Sequence, residues 1–383
     1  MFTGNSSKSG SDAGLYIHVP FCRTKCRYCG FYSKPIAEHD AAAVISTMMA
    51  EMKRHELGED IRTIYIGGGS PSCLAPEHLL RLVRHAAERC PAAAEFTVEI
   101  NPGQAGGELF LSLRKAGVNR LSIGAQSFIQ RELDFLGRGY TTDCIGRVVQ
   151  QARTAGFDNI SLDLIFAVPG SCLETWKHNL RAAVALGVDH ISAYSLTYED
   201  RTPLGRDLAA GLIKPVDEDI DRAMYELATD ELARADMDQY EISNFAKHGF
   251  ECGHNLNCWA NGRYAGIGPG ATSYLKGTRS TNVADIEKYV LAITNGASAV
   301  ESSETLPERE RACETAVLNL RRRSGIDLAE FKSRTGFDPM QLFAELIRTY
   351  QEQALIEKKD GRIFLTRQAL GIADSILCDF ALV

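Results

Sequence analysis

Six times before residue 240 a short β-rich run is followed by an amphipathic stretch. This alternation limits the fold more than any other feature. Strands are predicted over 14–19, 63–67, 95–100, 120–124, 159–164 and 190–195. Helices are predicted over 37–57, 76–90, 106–116, 141–155, 173–186 and 217–235. Within 77–89, Leu79, Leu80, Leu82, Val83 and Ala86 gather on one side, with Arg81, Arg84 and Glu88 largely on the other. Repeated strand-then-helix units imply parallel strands joined by right-handed crossovers. Six units fall short of a closed eight-unit barrel. That leaves a partial, TIM-like (β/α)6 barrel or a doubly wound sheet within the α/β class. The strand ends favour the barrel. Gly67-Gly-Gly-Ser-Pro71 ends the second strand and Glu99 the third; Gln126 follows the fourth, and Asp163 lies near the end of the fifth. Carboxyl ends of parallel barrel strands converge on one mouth, where chemistry is found. A lone polar residue there would instead be a cap or a turn.

Directly after the first strand come Cys22, Cys26 and Cys29, spaced C-x3-C-x2-C in a loop opened by Pro20. Three thiolates so close can hold a four-iron cluster and leave one iron open to a ligand. A disulfide would leave one thiol over. Zinc would need a fourth ligand, which His18 could supply. The other eight cysteines are scattered, as small buried hydrophobes are.

Composition sets bounds. With 45% hydrophobic and 24% charged residues the chain reads as globular, and its net charge of −7 provides no general attraction for nucleic acid or anionic lipid. Residues 1–13 are rich in Ser and Gly and lack an apolar core, so they read as a tail rather than a signal peptide. No apolar run approaches the roughly 20 residues that span a bilayer. The expected location is the cytoplasm or another reducing compartment.

Tyr16-Ile-His-Val-Pro-Phe-Cys22, the cysteine triplet with Tyr28, the glycine motif and Gly124-Ala-Gln-Ser-Phe128 resemble radical S-adenosylmethionine (SAM) enzymes. The likeness is to the oxygen-independent coproporphyrinogen III oxidase-like group and runs from Leu15 nearly to the C-terminus. It implies a [4Fe-4S] cluster on Cys22, Cys26 and Cys29, with SAM on the open iron. In that family one electron splits a carbon–sulfur bond of SAM and yields a 5′-deoxyadenosyl radical. By resemblance Tyr16, Tyr28, Gly68, Gly69, Ser70, Glu99, Gln126, Arg138 and Asp163 contact SAM. Their chemistry agrees. Glycines admit close backbone approach, Arg138 can pair with a carboxylate, and Gln126 and Asp163 can bond ribose hydroxyls. Ser70 stands where the family has threonine.

Two branches share these motifs. Coproporphyrinogen III dehydrogenases have a fourth cysteine two residues after the third, where this chain has Phe31, and a longer region before the cluster. Both departures point to the HemW-type haem chaperones, with the dehydrogenase as the alternative function. His254-Asn-Leu-Asn-Cys-Trp259 resembles the His-Asn-x-x-Tyr-Trp box of that branch, with Cys258 replacing tyrosine. The resemblance makes haem the cargo, with His254 and Cys258 as candidate iron ligands. It also implies a haem-acceptor protein, which can be membrane-associated, and an electron donor such as flavodoxin or ferredoxin. Gly266-Ile-Gly-Pro-Gly270 is no dinucleotide fingerprint, because Pro269 interrupts it. It either lines the SAM pocket or makes a tight turn.

Ala297-Ser-Ala-Val-Glu-Ser-Ser-Glu304 reads as a linker. The domain reading is therefore a tail over 1–13, a barrel with its box-bearing extension over 14–296, and a small, mainly helical C-terminal domain over 297–383. In the last, helices at 307–321, 327–335 and 339–353 precede strands near Leu355 and Ile363, a hairpin turn at Asp360-Gly361 and a final helix, as in a winged helix. Arg321-Arg-Arg323 raises nucleic-acid binding, but no basic stripe continues from it, so a domain that covers substrate or partner is expected.

Overall fold

The computed structural model describes residues 13–55 and 60–383. The predicted tail therefore lies outside the described residues, except Ala13, which begins the first strand. Six parallel strands form the middle of a twelve-stranded sheet. They are β1 (Ala13–Val19), β2 (Ile61–Gly68), β3 (Glu95–Ile100), β4 (Arg120–Gln126), β5 (Asn159–Phe166) and β6 (His190–Ser195). Each pairs with the next in chain order. The crossovers are α1 (Ala41–Arg54), α2 (Pro76–Arg89), α3 (Gly107–Lys115), α4 (Asp143–Thr154) and α5 (Leu173–Ala185); α6 (Glu218–Ala233) follows β6. This is the open (β/α)6 barrel.

Local chemistry sets the helix starts. Asp40 accepts the Ala43 amide ahead of α1, Pro76 occupies the first position of α2, and Asp217 caps α6. The strands alternate with period two. Leu15, Ile17, Ile64, Ile66, Val98, Leu121, Ile123, Leu162 and Ile191 join one apolar core. The residues between them, Tyr16, Tyr65, Glu99, Ser122, Asp163 and Ser192, line one cavity instead. Alternation thus makes an oily outer face for the helices and a polar inner one.

The sheet extends past both ends of this barrel. Beyond β6 lie Asn244–Ala246 and Asp238–Gln239; beside β1 lie Arg263–Ile267, Thr272–Leu275, Thr278–Asn282 and Val300–Thr305. The last of these corrects the linker reading. Val300–Thr305 is an edge strand paired with Thr278–Asn282, and all six of its residues are exposed. With no buried face it has no apolar period to betray it. The glycine stretch 266–270 takes the turn alternative. None of it lines the cavity. The Gly268 amide donates to buried Glu51 at 2.8 Å, with φ +106°, and a Cβ there would lie 2.5 Å from the His18 carbonyl oxygen.

The C-terminal part has its own core, including Leu320, Phe331, Phe343, Ile347, Ile363 and Phe380. Helices Glu308–Leu320, Leu328–Thr335 and Ala344–Glu352 precede the hairpin Ile356–Lys359 with Arg362–Leu365, and Ala373–Ala381 ends the chain. Asp360 and Gly361 both have positive φ, 50° and 74°, which suits a two-residue hairpin turn. The predicted helix at 339–353 is broken near Phe343, whose ring packs 4.9 Å from that of Phe380. The three arginines are engaged internally. Arg321 lies over the Trp259 ring, Arg322 bonds Asn319, and Arg323 donates to the Leu365 carbonyl.

Phe343→Ala is expected to cost about 3–5 kcal/mol by leaving a cavity in the second core. A lowered denaturation midpoint of the full chain checks it; an unchanged midpoint would mean the ring carries no packing role.

Candidate functional site

A cavity of about 940 Å³ opens at the carboxyl ends of the six strands and is closed on one side by the C-terminal domain. Every cysteine of the triplet lines it, and so do Tyr16, Tyr28, Gly68, Gly69, Ser70, Glu99, Gln126, Arg138 and Asp163. The sequence therefore selects twelve residues that the fold brings to one wall system.

The cysteine loop is fixed at several points. The Arg27 amide donates to the Leu136 carbonyl at 3.1 Å, and its guanidinium pairs with Asp207 at 2.6 Å. Lys25 Nζ donates to the Phe31 carbonyl at 3.0 Å. Close backbone approach needs glycine here: a Cβ on Gly69 would lie 2.3 Å from the Phe21 carbonyl oxygen. All three thiols are free and half-buried. Burial raises the Cys22 thiol and pushes Cys29 up to about 11. Among the described residues, no three His, Cys, Asp or Glu side chains converge on a point as ligands of a single ion do. One zinc would draw them to about 2.3 Å of one centre. The three thiols line the cavity with the Arg138 guanidinium beside Cys26, a donor set that would suit an anionic iron–sulfur cluster.

Arg138 is that guanidinium. Its Nη1 donates to Cys26 Sγ at 3.2 Å and its Nη2 to the Gly124 carbonyl at 2.8 Å, while Nε donates to the Tyr140 hydroxyl at 3.2 Å. Arg138 is thus held inside the site by three contacts. Gln126 is held with φ 61° at the end of β4, where the register with β5 shifts. A side chain rarely adopts that backbone region without cause. Ser70 donates to Gln104 Oε1 at 2.9 Å. Tyr16 bonds His18 Nδ1 at 3.0 Å.

Two carboxyls, those of Glu99 and Asp163, line the cavity. Glu99 accepts the Tyr65 hydroxyl at 2.9 Å and the Gly68 amide at 3.2 Å. Burial, and then the charge of Asp163, push it up to about 7. Asp163 accepts the Ser122 hydroxyl at 3.2 Å and is likewise raised by burial. Sequence reasoning missed Tyr65, Ser122, Arg120, Ser192 and Tyr194. The inward strand period could have found them.

Of the box residues, Asn255 lines the cavity, whereas the candidate iron ligands His254 and Cys258 do not, which corrects their expected place beside a ligand pocket. The helix α7 (Gly253–Trp259) is capped by Glu95, which accepts the Gly253 and His254 amides at 2.8 and 3.0 Å. His254 is 5% exposed, does not line the cavity, and shares a 2.9 Å hydrogen bond through Nδ1 with the Thr63 hydroxyl. Its ring lies 5.3 Å from that of Tyr65, and burial lowers it to about 4. A Cβ on Gly14 would strike it at 2.9 Å. His254 is therefore a neutral plug between β1, β2 and α7. Cys258 also lies off the cavity, its thiol pushed up to about 12 by burial. Trp259 stacks beneath Arg321, whose guanidinium carbon lies 4.6 Å from the ring centre.

Residues 16–183 match the radical SAM superfamily, and residues 306–371 match the HemN C-terminal domain. The chain is 35% identical to the heme chaperone HemW of Lactococcus lactis, covering 96% of this chain and 97% of that protein. It is 33% identical to heme chaperone HemW of Bacillus subtilis, covering 95% and 98%. The structure superposes on the radical SAM enzyme coproporphyrinogen III oxidase (HemN) from Escherichia coli with a TM-score of 0.83, at 19% identity, over 97% of this chain and 90% of that one.

The Glu99 shift fixes a sign. Its folded pKa, about 7, lies above the ordinary 4.5, so the unfolded chain releases the proton first. Stability should fall as pH rises from about 4.5 to about 7 and then level off, by on the order of 2–3 kcal/mol. Denaturant titrations of Glu99→Gln should show that this part of the pH dependence is gone. An identical profile in both proteins would refute the assignment.

Proposed function

The chain belongs to the HemW-type haem chaperones of the radical SAM superfamily, and we propose that it binds haem and hands it to an acceptor protein. The observation that carries this reading is a likeness to heme chaperones over almost the whole of both chains. We further propose that Cys22, Cys26 and Cys29 hold a [4Fe-4S] cluster, and that SAM lies against Tyr16, Tyr28, Gly68, Gly69, Ser70, Glu99, Gln126, Arg138 and Asp163. When bound, the cluster supplies one-electron chemistry to SAM.

The chain's own residues suit those tasks. The Glu99 carboxylate complements an ammonium group, and the Gly68 amide keeps it aimed. Arg138 offsets the negative charge of a thiolate at Cys26. Asp163, steadied by Ser122, accepts hydroxyl donors. Tyr140 and Gly124 hold Arg138 while the Arg27 contacts keep the loop closed over the strands. At the fourth-cysteine position of the dehydrogenases stands Phe31, 69% exposed at the cavity rim. That favours cargo delivery over oxidative decarboxylation. The reductant is proposed to be a small carrier such as flavodoxin or ferredoxin. No helix among the described residues is long and apolar enough to cross a membrane.

Anaerobically reconstituted protein should contain about four irons per chain, and the triple Cys22→Ala, Cys26→Ala, Cys29→Ala variant none; a single zinc would remove the cluster. Hemin should bind the reconstituted chain and move to an apo-haemoprotein, whereas coproporphyrinogen III with SAM and reductant should yield no protoporphyrinogen IX. Turnover of that porphyrinogen would favour the dehydrogenase. SAM affinity, measured calorimetrically, should weaken up to about tenfold per pH unit below 7, as Glu99 takes up its proton. Glu99→Gln should bind weakly at every pH; a wild-type affinity flat from pH 6 to 8 would free Glu99 of this role.

A further inference from the structure

The proposed cluster and SAM residues leave part of the cavity unclaimed. This remaining lobe lies between β6, α6 and the C-terminal domain. Its wall includes Leu196, Ile242 and Ile372, with Arg222 and Arg321 at the rim and Tyr194 projecting from β6. Glu218, Asp221 and Asp374 also line it, with Asp221 accepting from Ser195 and Asp374 beside Arg321; the apolar wall with two guanidinium groups matches a flat apolar molecule bearing two carboxylates. The whole cavity, about 940 Å³, is near the upper end of cofactor pockets, roughly 300–1,000 Å³.

Elimination selects the iron ligand. His254 and Cys258 do not line the cavity. His190 does, but both of its ring nitrogens are engaged, with the Ser161 hydroxyl at 2.7 Å and the Tyr240 hydroxyl at 2.8 Å. The Tyr65 hydroxyl is bound to Glu99 and that of Tyr225 to the Ile242 carbonyl. Tyr194 differs in exposure: its hydroxyl lies near the Ser192 and Asn244 side chains, yet the residue is 42% exposed on a strand whose first four residues are buried. Phenolate is an established axial ligand of ferric haem. Arg222 has no hydrogen bond or ion pair with any described residue. Arg321 keeps its stack on Trp259, and its ion pair with Asp374, itself 94% exposed, is loose at 3.8 Å.

We propose that this lobe is the cargo site, with Tyr194 ligating ferric haem and Arg222 and Arg321 receiving its two propionates. The assignment rests on the haem-chaperone reading. In the binding step the Tyr194 O–H bond breaks and an iron–oxygen bond forms. The phenol proton joins the hydroxide displaced from iron, leaving as water, and no redox change occurs.

The test is hemin titration of the reconstituted full chain, followed by absorbance and electron paramagnetic resonance. Wild type should show a high-spin ferric spectrum with a phenolate-to-iron charge-transfer band. Tyr194→Phe should lose that band and bind at least tenfold more weakly. Tyr194→His should restore affinity with a histidine-ligated spectrum. Arg222→Gln should weaken binding without altering the band, and His254→Gln should leave both unchanged. Retention of band and affinity in Tyr194→Phe would overturn the assignment while leaving the chaperone reading intact, as would their loss in His254→Gln alone. Failure of the wild type to bind hemin would overturn the chaperone reading itself. Cluster iron content and far-ultraviolet circular dichroism establish that each variant is folded.

Discussion

The contact on which the site depends is made by Arg138. One guanidinium reaches the Cys26 sulfur, the Gly124 carbonyl at the mouth of β4, and the Tyr140 hydroxyl. It thereby ties the Cys26 loop following β1 to β4, at Gly124, far along the chain. Its planar fork allows three acceptors to be met in fixed directions, which a lysine ammonium on a flexible stem would not reproduce. The cost of burying this cation is offset by the sulfur, the carbonyl dipole and the ring of Tyr140, whose centre lies 5.2 Å away. The cysteine loop can then remain half-buried and shaped without a hydrophobic core of its own.

Burial of opposed charges continues down the barrel. Glu99, Asp163 and Arg120 are inward residues of three neighbouring strands and line the cavity together. Burial raises both carboxyls, the charge of Asp163 raises Glu99 further, and Arg120 pulls both back. This balance leaves Glu99 near neutrality rather than firmly ionised. A group so poised changes charge readily when a cation arrives beside it. The hydroxyls of Tyr65 and Ser122 hold the carboxyls in place, so a shift in proton occupancy need not move the side chains.

Much of this was legible in the sequence, for a definite reason. Strand period and helix period are local signals, and the barrel follows once six parallel units are recognised. The cysteine spacing and the polar strand ends mark the mouth independently. What the sequence concealed was non-local. Val300–Thr305 has no buried face, so its membership of the sheet rests on backbone pairing alone. Arg120 and Tyr194 look like ordinary strand residues until the sheet curls. The Gly266–Gly270 turn is decided by Glu51, from a helix more than two hundred residues earlier. Phe343 interrupts a plausible helix because its ring is required by a second core.

The His254–Trp259 box illustrates how residue type alone can mislead about position. An imidazole, a thiol and an indole within six residues read as ligands for a haem. In the fold they lie on α7, whose first turn is fastened by Glu95 at the start of β3. His254 points into the strand ends, where it is neutral and hydrogen-bonded; Trp259 faces the opposite partner, Arg321 of the C-terminal domain. The helix therefore joins the barrel interior to the domain that roofs the cavity. Arg321 touches both the indole and the cavity rim. A change at Trp259 would thus alter the cavity by displacing Arg321, although Trp259 itself does not line it. Sensitivity of cargo binding to Trp259 is therefore compatible with an iron ligand elsewhere, and only a spectroscopic signature of the bound metal separates the two.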